Sequence, residues 1–457
     1  MRKLLLVLVL LLVAASVTYV VAGRAAGPTI EIVRPQQVVG TDSQLEVVMG
    51  TPAGRLSAMR IAFEQNGSST ELYSLGGDTS RSGVTVTPDG PDRLRITRPV
   101  GRQSIPGIVQ GPARIVISAS RPTLMGLRSA SAQATRDVQV RLDPPRVSVA
   151  STYHYVNVGG SEMVVYRVSP PDVQSGVKVG EFEYPGYPAS GADLPGAALG
   201  DPALRIAFFA LRYDQPLDTP IALFARDTAG NVGRATFDYR TFPKPFKKSR
   251  IELDDAFLER VVPAIMAGTK EVTPEGSLLD KYLVLNGELR RKNAERIRSV
   301  SAETAHEMLW KGDVFFPFTN SATESAFADQ RTYIYQEREV DHQVHLGFDL
   351  ASYANTPVVA SNRGKVLFAQ ELGIYGNCVI VDHGMGVQSL YAHLSSFSVK
   401  VGDMVEKAQP LGKSGMTGMA GGDHLHFTML VNGQMVNPVE WWDSHWIQDR
   451  VLRKLRP

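Results

Sequence analysis

The chain has 457 residues, room for about three domains at roughly 150 residues each. Its 48 basic and 46 acidic residues leave a net charge of +2 with 21% of residues charged, so no basic field marks a nucleic-acid partner and no acidic excess marks a disordered chain. The single cysteine, Cys378, excludes an internal disulfide and a zinc cage of several thiolates, so any metal must be held by His and carboxylate.

Residues 1–24 read as a membrane anchor or a signal. Arg2 and Lys3 precede an uncharged run from Leu4 to Gly23, closed by Arg24. Twenty residues at 1.5 Å rise span about 30 Å, the thickness of a bilayer's hydrocarbon core. The run is longer than the apolar region of a cleavable signal, although Val20-Val21-Ala22 offers a small-residue cleavage site. It has no polar face, as a core helix would require. The positive charge ahead of it places the rest of the chain outside the cytoplasm.

Two β blocks follow. Residues 28–143 alternate short apolar runs, such as Ile30-Glu31-Ile32-Val33 and Arg114-Ile115-Val116-Ile117, with Gly, Pro, Ser and Asp clusters, the spacing of a small sandwich. Pro144-Pro145 is a natural break. Residues 144–242 repeat the pattern with Met163-Val164-Val165-Tyr166, Ala207-Phe208-Phe209-Ala210 and Ile221-Ala222-Leu223-Phe224. Ala225 to Asn231 resembles the last hairpin of bacterial immunoglobulin-like domains. Both blocks are expected to be spacers or to bind a protein partner, and nothing in them looks catalytic.

After Phe242-Pro243-Lys244-Pro245 the period changes. Leu253, Phe257, Val261 and Ile265 recur every four residues, and Thr273-Pro274 reads as a helix start leading into residues 278–298. Residues 250–312 are therefore expected to be a helical region, with the Arg290–Arg298 charges on a solvated face. A basic tail is expected over 447–457.

The chemistry concentrates in residues 313–446: seven of the nine histidines stand at or beyond residue 342. On an extended strand His345, Gly347 and Asp349 share a face, and the glycine leaves a gap between imidazole and carboxylate that could hold a metal ion. In His424-Leu425-His426-Phe427 two further imidazoles share a face. Three His and one Asp then meet at one point, more than the three N and O ligands a catalytic zinc commonly uses. Spacing alone does not decide between His424 and His426. The glycine-dense stretch Gly412 to Gly422 delivers the chain to this strand and permits close backbone approach of a peptide substrate. His383 and His393 lie on an expected hairpin formed by residues 379–384 and 389–394. His342, His383 and His445 read as surface or turn residues, Cys378 as a small core residue, and Asn320 and Arg331 as groove-lining without a spacing argument.

Together His345-x-Gly-x-Asp349, Tyr391-Ala392-His393-Leu394 and His424-Leu425-His426-Phe427, with Val436-Asn437-Pro438, resemble the signatures of the lysostaphin-type, or LytM-like, zinc peptidases. The resemblance covers residues 312–446. It implies an antiparallel β core with Zn2+ in a groove, His345, Asp349 and His426 as metal ligands, and His393 and His424 as the unliganded catalytic pair, His424 as base and His393 as oxyanion donor. It further implies a zinc metalloendopeptidase acting on the cross-link peptides of bacterial peptidoglycan. The alternative it leaves is an activator or scaffold for other wall hydrolases. The expected fold class is mainly β with a helical segment: an N-terminal transmembrane helix, two Ig-like β-sandwich domains, a helical linker and a C-terminal metallopeptidase domain, held at the inner membrane of a bacterial envelope with the bulk of the chain in the periplasm.

Overall fold

The structure is a computed structural model describing residues 2–22, 26–51, 55–76 and 83–456. Gly23 and Arg24, expected to close the first apolar run, lie outside the described residues. Backbone contacts divide the chain into two compact units, Met1–Pro145 with Arg226–Val232, and Arg146–Ala225 with Gly233–Pro457.

The first unit opens with helix α1 (Arg2–Ala22), whose described side chains, Leu5 to Val21, are all exposed. Among the described residues no helix is long and apolar enough to cross a membrane. Two sheets follow. One places Thr29–Arg34, Ser43–Gly50, Arg93–Val100 and Thr85–Pro88 side by side; the other orders Val38–Val39, Arg128–Val140, Gly111–Thr123, Ala58–Gln65 and Ser68–Ser74. Along Gly111–Thr123 burial alternates, with Ala113, Ile115, Ile117 and Ala119 turned inward, as a half-buried strand requires. These residues share a core with Leu45, Val47, Met49, Ile61 and Phe63, so the unit is two sheets closed on one apolar layer.

In the second unit an eight-stranded antiparallel sheet forms the scaffold. Its order is Ala322–Ser325, Phe348–Ala351, Leu425–Val431, Val387–Leu394, Asn377–Gly384, Gly364–Glu371 and Met404–Val405, with Gln434–Val436 added beside Leu425–Val431. Its inner strands Asn377–Gly384, Val387–Leu394 and Leu425–Val431 are buried along almost their whole length because both faces are covered. On one face Val379, Val381, Tyr391, Phe427 and Met429 join Val165, Phe208, Phe209, Trp310, Phe315 and Trp441 in one core. The second β block is thus not an independent bead. Trp441 is fully buried, its ring 5.8 Å from those of Trp310 and Phe208 and 5.5 Å from Phe315. Its Nε1 donates to Ser161 Oγ at 3.0 Å, while the Glu440 carboxylate accepts from Asn157 Nδ2 and Ser161 N, each at 2.8 Å. The end of the chain closes the same seam: Lys454 pairs at 2.6 Å with the buried Glu162.

On the other face Leu390, Ala392, Ile380 and Leu430 meet the helical segment through Leu258, Val261, Ile265, Tyr282, Leu289 and Ile297. That segment begins as a strand, Lys248–Leu253, parallel to Asp329–Tyr335. Helix α2 (Asp255–Gly268) is capped by Asp254, whose side chain accepts from Phe257 N. Helix α3 (Leu278–Val284) begins at Ser277, not at the Thr273-Pro274 the sequence suggests: Ser277 and Asp280 form a capping box, satisfying two otherwise orphaned donors. A π-helical turn, Leu285–Leu289, joins α3 to helix α4 (Arg290–Ser301).

Candidate active site

His345 ends the strand Arg338–His345 opposite Asp329. The chain then leaves that sheet at Leu346-Gly347 and enters the large one at Phe348. The expected continuous strand is therefore broken. The gap over Gly347 is filled by a side chain: the His426 ring lies where a Cβ would stand 2.5 Å from its Cε1 and Nε2. Asp349 and His426 are direct cross-strand partners, and so are His426 and Ala392, which puts all three on one face.

His393 reaches that face by a different device. Simple alternation would place it with Tyr391, in the opposite core. Instead Asn377 pairs with Leu394 while Val379 pairs with Tyr391, so three residue steps on one strand oppose two on the other. His393 itself takes φ +61°. This bulge moves the imidazole across the sheet, the re-aiming that bulges perform beside functional sites.

The donor atoms of His345, Asp349 and His426 lie within 4.8 Å of one another, and all three side chains are buried. His345 Nε2 is 2.9 Å from Asp349 Oδ1 and 3.0 Å from His426 Nδ1, which is itself 3.0 Å from the same oxygen. On its far side His345 Nδ1 faces Ala326 O at 3.3 Å. A carbonyl only accepts, so the proton sits on Nδ1 and Nε2 turns a lone pair inward. His426 Nε2 is buried with no hydrogen-bond partner among the described residues. Whichever nitrogen of neutral His426 carries the proton, a buried lone pair remains uncompensated. Electron pairs converging in the interior are what a cation resolves, and two imidazoles with one carboxylate suit a divalent transition metal in a site with an open fourth position. The residues fit a metal ion.

A second tier holds these donors. Arg331 Nη2 donates to Asp349 Oδ2 at 3.0 Å and to Ser325 Oγ at 2.8 Å, and its Nε to Asp329 Oδ2 at 3.4 Å. Ser249 Oγ donates to Asp329 Oδ1 at 2.8 Å, and Ser325 Oγ lies 3.2 Å from His345 Nδ1. Such outer partners orient ligands. Residue types alone did not single out Ser249, Ser325 and Asp329. The usable signal was the hairpin register, which sets Asp329 opposite His345 and Arg331 opposite Gln343. Asn320 does not join them; its carbonyl accepts from Ser352 Oγ at 3.0 Å.

The rings of His393 and His424 stand 4.9 Å apart. Each donates Nδ1–H to a backbone carbonyl, His393 to Thr417 O at 2.8 Å and His424 to Gly422 O at 2.9 Å. Both are left with Nε2 for chemistry, and that of His424 lies 3.4 Å from Asp349 Oδ1. In the metal-free chain burial, followed by the neighbouring His424 and His426, holds His393 well below the usual imidazole range. Burial also opposes charge on His424, but the Asp349 hydrogen bond and charge outweigh it and raise its pKa. Burial would raise Asp349, yet the surrounding histidines, His345 first, hold it well below the ordinary carboxylate value. Burial pushes His426 down to about 4.

All five residues line one cavity of about 580 Å³, together with Tyr375, whose ring is 5.6 Å from that of His426, and with Phe257, Tyr282 and Arg290 of the helical segment. The glycine loop is held against the neighbouring turn: a Cβ on Gly418, at φ +69°, would stand 2.3 Å from Gly376 N. The remaining histidines lie elsewhere. His342 and His445 are exposed. His383, expected at the surface, is fully buried, its ring held by Arg363 O and Ser389 Oγ at 2.8 Å each.

Residues 343–438 match Peptidase family M23. Over 97 residues the chain is 45% identical to the DD-carboxypeptidase/endopeptidase Mpg of Neisseria gonorrhoeae, covering 21% of this chain and 22% of that protein. It is 29% identical over 165 residues to the peptidoglycan DD-endopeptidase ShyA of Vibrio cholerae, 36% of this chain and 35% of that one. It is also 38% identical over 95 residues to the murein hydrolase activator EnvC of Escherichia coli, 21% of this chain and 23% of that one. These matches span no more than 35% of the relatives' length. Among solved structures, the catalytic domain of the antimicrobial peptidase lysostaphin from Staphylococcus simulans is similar at 28% identity and TM-score 0.24, covering 27% of this chain and 92% of that one.

Proposed function

We propose that this protein is a zinc-dependent endopeptidase that hydrolyses the peptide cross-links of bacterial peptidoglycan. The observation that carries the reading is the juxtaposition of two sets of groups in one cavity: the converging donors of His345, Asp349 and His426, and the two imidazoles of His393 and His424 whose Nδ1 protons are already committed to backbone carbonyls. His345, Asp349 and His426 would hold the ion. Zinc bound there supplies a Lewis acid and a water of pKa near 7.

The chain's own residues do the rest. Neutral His424, its Nε2 beside the ligand oxygen of Asp349, is placed to take the proton of the attacking water. The pull of Asp349 on a His424 proton weakens once that carboxylate is itself a ligand. His393, across the ring contact, is placed to donate from Nε2 to the oxyanion that develops on the substrate carbonyl. Arg331 keeps Asp349 oriented through its outer oxygen. Burial of both imidazoles excludes competing water from these hydrogen bonds.

A wall substrate lies outside the cytoplasm, and α1, which opens with Arg2 and Lys3, is proposed to tether the chain at the membrane. One observation favours a regulatory reading as well. Phe257, Tyr282 and Arg290 wall the same cavity, so the helical segment limits which substrates enter, as an activator or a gated enzyme would require. The complete set of donors and catalytic imidazoles favours catalysis. The test is mass spectrometry of products released from purified peptidoglycan by the zinc-loaded full chain, with a chelator-treated control. Chelator-sensitive release of uncross-linked stem peptides is expected. Cross-links left intact by the folded, zinc-loaded protein would overturn the proposal.

A further inference from the structure

The helical segment contributes a charge to the catalytic cavity that the chemistry above does not use. Arg290 opens α4 immediately after the π-helical turn Leu285–Leu289. Inside helices such turns are uncommon and tend to occur at functional sites, because the extra residue re-aims the side chains that follow. Here the turn delivers Arg290 to the cavity lined by His345, His393, His424 and His426. Arg290 is half-buried, and its guanidinium meets neutral acceptors: Nε donates to Asn286 O at 3.0 Å, Nη2 to Asn286 Oδ1 at 2.5 Å, and Nη2 lies 3.9 Å from Met419 Sδ.

The carboxylates nearby are occupied or held at one remove. Asp329 and Asp349 pair with Arg331. Asp341 accepts from Asn286 Nδ2 at 2.7 Å, so the amide of Asn286 stands between it and Arg290. Glu324 also lines the cavity and is not an ion-pair partner of Arg290 among the described residues. An arginine fixed in place by an amide, yet without a carboxylate partner among the described residues, is preorganised for a planar anionic partner that arrives with the substrate.

We propose that Arg290 is a specificity residue that binds a carboxylate of the substrate peptide, so that the enzyme selects acidic over amidated cross-links. The inference rests on the endopeptidase reading. The substrate class is a cross-linked stem peptide carrying a free carboxylate, either on the diamino acid of the cross-link or at the chain terminus. The fork of guanidinium donors sets the preference, and a lysine there keeps the charge without the fork.

The test uses the zinc-loaded full chain and three synthetic cross-linked peptides: one with both carboxylates free, one amidated at the diamino acid, one amidated at the terminus. Both kcat/KM and binding by calorimetry are measured for wild type, Arg290→Gln and Arg290→Lys, with zinc content and circular dichroism confirming the fold. One of the two amidations is expected to lower wild-type kcat/KM and affinity at least tenfold, and to change those of Arg290→Gln less than twofold, with Arg290→Lys between. A wild type indifferent to both amidations, or an Arg290→Gln protein that keeps the wild-type preference, would overturn the proposal. A wild type that binds the peptides without cutting any of them would sink the endopeptidase reading instead, and the carboxylate preference would still be read from the binding data.

Discussion

Replacing Gly347 by alanine tests the metal site through space alone, since this glycine needs no left-handed backbone. The added Cβ would lie 2.5 Å from Cε1 and Nε2 of His426 and 2.9 Å from Phe427 O. Phe427 is a core residue of a central strand, so its carbonyl cannot retreat cheaply; the imidazole is what yields. Overpacking by one methyl group costs about 1–3 kcal/mol, which the fold survives. If the strain is relieved by swinging Nδ1 of His426 away from Asp349, restoring the ligand geometry restores the strain. At about 1.4 kcal/mol per tenfold, zinc affinity should then fall about 5- to 150-fold. Competition against a fluorescent chelator at neutral pH measures this directly. Gly421→Ala is the control: it lies on the loop leading to the same site, and an added Cβ there meets nothing within 4 Å. A Gly347→Ala protein that binds zinc within twofold of wild type would refute the claim that the glycine exists to seat the His426 ring.

Three further outcomes are expected. His393→Ala and His424→Ala should each lower kcat/KM for a cross-linked peptide by about 10²- to 10⁴-fold while zinc content stays at wild-type stoichiometry; loss of zinc from either would recast that residue as a ligand. Trp441→Ala, which empties a space among Trp310, Phe208 and Phe315, should cost about 3–5 kcal/mol in urea unfolding of the second unit, and a cost below about 1 kcal/mol would contradict a shared core. Burial lowers the His383 pKa to about 4 from 6.5, so the unfolded chain takes up the proton first. The resulting stability is complete above pH 6.5 and is lost as pH falls toward 4, about 2–3 kcal/mol by pH 4.5. The stability gap between wild type and His383→Gln should narrow by that amount between pH 7 and 4.5, and a gap constant with pH would refute the buried neutral imidazole.

What the sequence disclosed about this site depends on how far apart the interacting residues lie along the chain. His424 and His426 are two residues apart, and period-two alternation was enough to put them on one face. His345 and Asp349 are four apart, and their convergence was legible although the strand between them breaks at Leu346-Gly347. His393 was legible only through its neighbours in a motif, because its placement depends on the register between Asn377–Gly384 and Val387–Leu394, which a bulge shifts. The same limit explains His383: alternation in a strand covered on both faces carries no signal of which side is wet, so a buried imidazole held by Arg363 O and Ser389 Oγ looked like a turn residue. The largest gap is the role of the segment before residue 312. Its helices were evident from apolar spacing, and Arg290 through Arg298 looked like a solvated face because nothing local marks a helix as one wall of a cavity. Arg291, Arg296 and Arg298 are indeed exposed; Arg290 alone of that run lines the cavity, on a segment held in place by long-range contacts such as Arg260 Nη2 donating to Ala420 O at 2.8 Å and Ile374 N donating to Asn293 Oδ1 at 3.0 Å. On the Arg290 proposal, selectivity is set outside residues 343–438, on a helical segment that supplies none of the metal donors. A relative matched only over residues 343–438 need not share this chain's choice of substrate.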